Sequence, residues 1–121
     1  MAKSANDVHR KALEKIAANP GKYGFKDILA ISIEVNLFDN RGRQVAQPDL
    51  ILYDEKDVWV IEYKNNGDGK LKKRAQEQLY HAVEWFSKYT TINPKTRIID
   101  GTQYPELKRT RPPKKFHKSP Y

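Results

Sequence analysis

The chain contains no cysteine, a single methionine and no apolar run long enough to cross a bilayer. Without cysteine there are no disulfides, no cysteine-based zinc sites and no cysteine-held iron–sulfur clusters. The longest apolar-rich stretch, ILAISI, falls far short of the ~20 residues that a membrane-spanning helix needs. The opening segment, MAKSANDVHRKALEKIAANP, alternates charged and apolar positions and has no continuous apolar core of a signal peptide, so an intracellular protein is expected, away from membranes. Acid is missing from the C-terminal end: residues 107–121 hold Lys108, Arg109, Arg111, Lys114, Lys115 and Lys118 and no aspartate or glutamate. Of the formal net charge of +8, that segment therefore supplies most, since the rest has 17 basic residues against 15 acidic ones. A domain over 1–104 followed by a basic, proline-rich tail over 105–121 is expected. Such a tail would be attracted to a polyanion, because each phosphate it neutralises releases condensed counterions.

What is present suits one small domain: 121 residues, 38% hydrophobic and 31% charged. Ala5, Val8, Ala12 and Ile16 recur at spacings of three and four and predict an amphipathic helix from about Ser4 to Ala18, closed by NPG at 19–21. DILAISIEVNLFD, 27–39, is rich in β-branched residues and predicts one long strand, central or well covered, with Leu29, Ile31, Ile33, Val35 and Leu37 on one side. Pro48–Tyr53 and Val58–Lys64 predict two further strands joined by a DEKD turn. NNGDG then breaks the chain, and Leu71, Ala75, Leu79, Ala82, Val83 and Phe86 predict a second helix to about Tyr89. TRIID, 96–100, predicts a fourth strand. The order is α-β-β-β-α-β, an α/β domain with a central sheet flanked by helices.

The charges of the 48–64 segment are concentrated at its ends. A hairpin closed symmetrically around Glu55–Lys56 pairs residues whose numbers sum to 111, which sets Asp49 opposite Glu62 and Lys64 opposite Gln47 on one face. Two opposed carboxylates repel, and a divalent cation between them reverses the sign of the interaction. Two carboxylates with water and a substrate phosphate form a ligand set suited to Mg²⁺. Lys64, two residues beyond Glu62, is placed to orient a water or to stabilise negative charge developing on phosphorus. As strand-end ion pairs the same residues would contribute little. His9, His81 and His117 show no ligand spacing and are expected as isolated surface residues.

Pro48-Asp49 and Glu62-Tyr63-Lys64, with twelve residues between the two acids and this element order around them, resemble the PD-(D/E)XK nuclease superfamily, which has the restriction-endonuclease-like α-β-β-β-α-β core. Gln76 and Tyr80, at i and i+4 on the second helix, resemble the Gln-x-x-x-Tyr element of its RecB-like members. The resemblance implies that Asp49 and Glu62 bind Mg²⁺, with Mn²⁺ as a substitute, and that Lys64 is the catalytic lysine. Many members add an acid from the first helix or first strand. Here that is Glu14 or Glu34, with Glu34 preferred because Glu14 points away from the apolar face of its helix. Lys72, Lys73, Gln76 and Tyr80, with Lys108, Arg109, Arg111, Lys114 and Lys115 of the tail, are expected to contact DNA. A homodimer is compatible with so small a chain acting on duplex DNA. A non-catalytic nucleic-acid-binding module on the same fold is the alternative, and an intact acid-acid-lysine set is more than that alternative requires.

Overall fold

The computed structural model describes residues 3–65 and 69–108. The chain runs through helix α1 (Lys3–Ala18), a 3₁₀ turn (Pro20–Tyr23), β1 (Ala30–Ile33), β2 (Leu37–Phe38), β3 (Gln44–Ala46), β4 (Leu50–Tyr53), β5 (Val58–Lys64), helix α2 (Gly69–Tyr89), β6 (Lys95–Asp100) and a second 3₁₀ turn (Pro105–Lys108). Four strands form a mixed sheet in the order β1-β4-β5-β6. The first two junctions are antiparallel and β5–β6 is parallel. α2 makes the crossover that a parallel neighbour requires.

The sheet separates two apolar clusters by residue parity. On one face Ala12, Leu13 and Ile16 of α1 pack on Leu50, Leu52, Ile61, Tyr63 and Ile99. On the other, Leu79, Ala82 and Phe86 of α2 pack on Ile51 and Val60. Both helices are thus held by one apolar stripe each, as their periodicity predicts. Glu62 and Lys64 share the face of Val60, and Asp49 shares that of Ile51, so all three belong to the α2 side of the sheet.

The long strand expected over 27–39 is not continuous. Its residues 30–33 form β1, and the chain then turns at Glu34, which adopts φ +52°, a left-handed conformation uncommon outside glycine and asparagine. The turn moves the chain from one face to the other: Ile31 and Ile33 pack with the α1 cluster, whereas Val35 and Leu37 pack with the α2 cluster. β1 is also an edge strand rather than a central one, and Leu29 is 70% exposed. β2 and β3 form a separate two-stranded hairpin whose turn Asp39 organises by accepting from the Arg41 and Arg43 N–H groups, with Gly42 at φ +80°. Trp85 of α2 donates its indole N–H to the Phe38 carbonyl at 2.8 Å and fastens this hairpin to the helix.

The body extends past residue 104. Leu107 is fully buried in the α1 cluster, Tyr23 donates to Glu106 at 2.9 Å, and Lys15 donates to the Glu106 carbonyl at 2.7 Å. Lys108 closes the second 3₁₀ turn, while the expected contacts Arg109, Arg111, Lys114 and Lys115 lie outside the described residues. Among the described residues no helix is long and apolar enough to cross a membrane.

Candidate active site at the open end of the hairpin

The β4–β5 ladder pairs Leu50 with Ile61, Ile51 with Val60, Leu52 with Trp59 and Tyr53 with Val58, the register expected from a symmetric DEKD turn. Asp54 sets that turn, accepting from the Lys56 and Asp57 N–H groups at 2.8 and 2.6 Å. One step beyond the last ladder pair stand Asp49 and Glu62, both buried. The Asp49 N–H donates to Glu62 Oε2 at 2.9 Å, and the Tyr63 N–H donates to Asp49 Oδ2 at 2.7 Å. Each carboxylate thus takes a backbone donor from the opposite strand at the place where the ladder ends. Burial first, and then the negative charge of Asp49, push the Glu62 carboxyl up to about 8.

Lys64 is buried beside them and donates to Asp100 Oδ2 at 2.9 Å. The parallel β5–β6 register makes these two residues direct partners. Asp100 is held down at about 2, first by the Lys64 hydrogen bond and then by the Thr102 backbone. Gly101 makes the junction close: a Cβ there would lie 2.6 Å from the Tyr63 hydroxyl and 2.7 Å from the Asn65 carbonyl oxygen, so no side chain fits. Its own N–H donates to the Lys64 carbonyl at 2.8 Å.

His9 was expected on the surface. Instead it reaches from α1 to Asp49 Oδ1 at 3.1 Å, with its ring 5.9 Å from that of Tyr63. The Asp49 hydrogen bond raises its pKa above the ordinary imidazole value against the opposing effect of burial. Glu34 is not drawn into the acid pair. Its carboxylate accepts from Arg10 at 2.7 Å, and the same guanidinium contacts Glu14 at 3.2 Å, so both candidate third acids belong to one cluster around Arg10 of α1.

Two open grooves meet at the acid pair. One, of about 340 Å³, is lined by His9, Asp49, Glu62, Lys64, Arg74 and Gln78 among others. The other, of about 380 Å³, adds Gln44 and Gln47 to Asp49, Glu62 and Gln78. Gln78 therefore stands where the two join. The polar α2 residues at the pair are Arg74 and Gln78, again at i and i+4. Lys73, Gln76 and Tyr80 line a separate surface hollow with Glu77 and His81, Tyr80 is 62% exposed, and Lys72 is exposed as well. Periodicity identified the buried stripe of α2 correctly, but Arg74 and Gln78, which flank it on the site's side, stand two residues, roughly half a turn, from the Gln76 and Tyr80 pair expected.

The donor set fits a hard divalent cation. Burial first, and then the facing Asp49 charge, favour the protonated Glu62 carboxyl near neutrality, and a divalent ion would resolve that conflict. Among the described residues no group of three or more histidine, cysteine, aspartate or glutamate side chains converges as metal ligands. Asp49 and Glu62 would offer two side-chain oxygens, a set that Mg²⁺ commonly completes with water and phosphate. No family model, curated protein or solved structure matches this chain.

Proposed function

We propose that the chain is a Mg²⁺-dependent nuclease that hydrolyses phosphodiester bonds of DNA, with the restriction-endonuclease-like arrangement of the PD-(D/E)XK superfamily. The observation that carries this reading is the buried, directly opposed pair Asp49–Glu62 with the Lys64 ammonium on the same sheet face, all three bordering one open cleft. An opposed acid pair kept for structure alone would cost stability at neutral pH through burial and repulsion, against a return of two backbone hydrogen bonds that neutral side chains could equally accept. Asp49 and Glu62 are the residues that would hold Mg²⁺ or Mn²⁺, which when bound would supply a Lewis acid and a water of lowered pKa.

The chain's own residues account for the rest. The Lys64 ammonium would stabilise the charge that grows on the non-bridging phosphate oxygens, where a fixed cation lowers the barrier more than it tightens binding. Arg74 would take a phosphate of the bound strand, and Gln78 would contact it between the two grooves. Lys72, Lys73, Gln76 and Tyr80 on the outer surface of α2, together with Lys108, Arg109, Arg111, Lys114 and Lys115, would take flanking phosphates. Incubation with labelled single-stranded, duplex and four-way-junction DNA, with and without Mg²⁺ or Mn²⁺, tests the reading. Metal-dependent cleavage supports it. Binding without cleavage of any of the three overturns it in favour of a non-catalytic nucleic-acid-binding module.

A further inference from the structure

We propose that Asp100 is the positioning residue of the site: an anionic brace, itself locked by Thr102, that aims the Lys64 ammonium at the phosphate in the cleft. The inference rests on the nuclease reading above and adds to it a residue from a different strand.

Lysine has a flexible stem with many rotamers, so a lysine at a cleft edge does not hold one direction unaided. Here its partner is itself held in place. Nζ lies 2.9 Å from Asp100 Oδ2. The other carboxylate oxygen, Oδ1, already accepts from the Thr102 N–H at 2.9 Å and the Thr102 hydroxyl at 2.8 Å, which fixes the plane of the carboxylate. The backbones are joined as well, through the Gly101 N–H and the Lys64 carbonyl, at an approach that only glycine permits. With 7% of the Lys64 side chain and 24% of the Asp100 side chain exposed, the pair is partly shielded from water. A charge pre-oriented in this way needs no reorganisation when negative charge develops near it.

The brace has an electrostatic corollary. Asp100 carries a negative charge close to the cleft, so it offsets part of the attraction of Lys64 for a ground-state phosphate. Removing that charge while keeping the side-chain shape should therefore move binding and cleavage in opposite directions. A loss of structure would weaken both.

The test measures DNA affinity in metal-free buffer and single-turnover cleavage with Mg²⁺ for the full chain and for Asp100→Asn. Cleavage is expected to fall at least ~10-fold, with affinity unchanged or up to ~3-fold tighter. In a Lys64→Ala background, Asp100→Asn is expected to cause no further loss, because the residue acts through the lysine. Thr102→Val, which leaves the Lys64 pair in place, is expected to show the same split at smaller amplitude and serves if Asp100→Asn folds poorly by circular dichroism. Parallel losses of binding and cleavage, an unchanged cleavage rate, or losses that add in the double variant would overturn the assignment while leaving the nuclease reading intact. Absence of cleavage by the unaltered protein would overturn both.

Discussion

Asp49 and Glu62 oppose each other across the β4–β5 hairpin, and the Asp49 N–H donates to Glu62 Oε2 at 2.9 Å. The contact satisfies a backbone donor while leaving two carboxylates within a short distance in a buried setting, and its consequences are measurable without substrate.

Glu62→Gln keeps an oxygen to accept from the Asp49 N–H and removes the repulsion. The folded carboxyl titrates at about 8, above its unfolded value. Below about pH 4 both states hold the proton and the group has no effect on stability. As pH rises from about 4 to about 8, the unfolded chain ionises while the folded one retains its proton, so metal-free stability falls. Glu62→Gln should flatten this slope and raise metal-free stability at pH 8 by on the order of 2 kcal/mol. It should also reduce metal-dependent cleavage by ~10²-fold or more. Denaturant unfolding at pH 5 and pH 8, beside a cleavage assay, measures both; a variant less stable than the parent at pH 8 contradicts the expectation.

Lys64→Ala retains both carboxylates, so DNA should bind with a loss no larger than about one phosphate contact's share. Single-turnover cleavage should fall on the order of 10²-fold or more. Equal small losses in the two quantities would reduce Lys64 to a phosphate contact.

Arg74→Ala and Gln76→Ala separate the cleft face of α2 from its outer surface. Arg74 borders the groove with Asp49 and Glu62, while Gln76 lies in the neighbouring hollow. A charge-assisted phosphate contact is worth ~1.5–3 kcal/mol, so Arg74→Ala should weaken DNA binding by roughly tenfold or more. Gln76→Ala should change it less than threefold, a limit roughly equivalent to one neutral surface hydrogen bond. Fluorescence anisotropy with a short duplex distinguishes the two, and the reverse ranking would mean that the strand follows the outer surface.

Truncation after Lys108 removes Arg109, Arg111, Lys114, Lys115 and Lys118 but leaves the buried Leu107 in place. The fold should persist, and the slope of log K against log salt should shrink by up to ~4.5 for duplex DNA. Leu107→Ala, by contrast, should destabilise the domain by ~2–4 kcal/mol with no change in that slope. Thermal unfolding and salt-dependent binding assign each effect to its residue.

The acid pair was legible in the sequence because it depends only on local geometry. A four-residue polar turn fixes the hairpin register, and the register fixes which charges meet. The same reasoning placed the buried stripe of α2 and Ala12 and Ile16 of α1, but not Leu13, which is also fully buried. It missed the break at Glu34, since β-branched residues on both sides predict a continuing strand and nothing about a glutamate announces φ +52°. It also missed His9 and Asp100, which meet the site from 40 and 36 residues away. Periodicity states which face of an element is buried and is silent on which strand will lie beside it. The TRIID stretch could be read as a strand, but its parallel register against β5, and hence the pairing of Lys64 with Asp100, arises only once α2 has crossed the sheet.

Those sequence separations divide the site in time. The two acids are 13 residues apart and meet as soon as the β4–β5 hairpin closes, whereas the brace on Lys64 requires the complete crossover. Hairpins form in ~1–10 μs, and pairings that close longer loops come later because the loop entropy must be met first. A hairpin that closes first would bring like charges together before most of the stabilising contacts exist, which would place this repulsion in the folding barrier as well as in the native state. A divalent cation that relieved it would act on the rate of folding as well as on the rate of unfolding, so the ion proposed for the site would also help the chain to reach its fold.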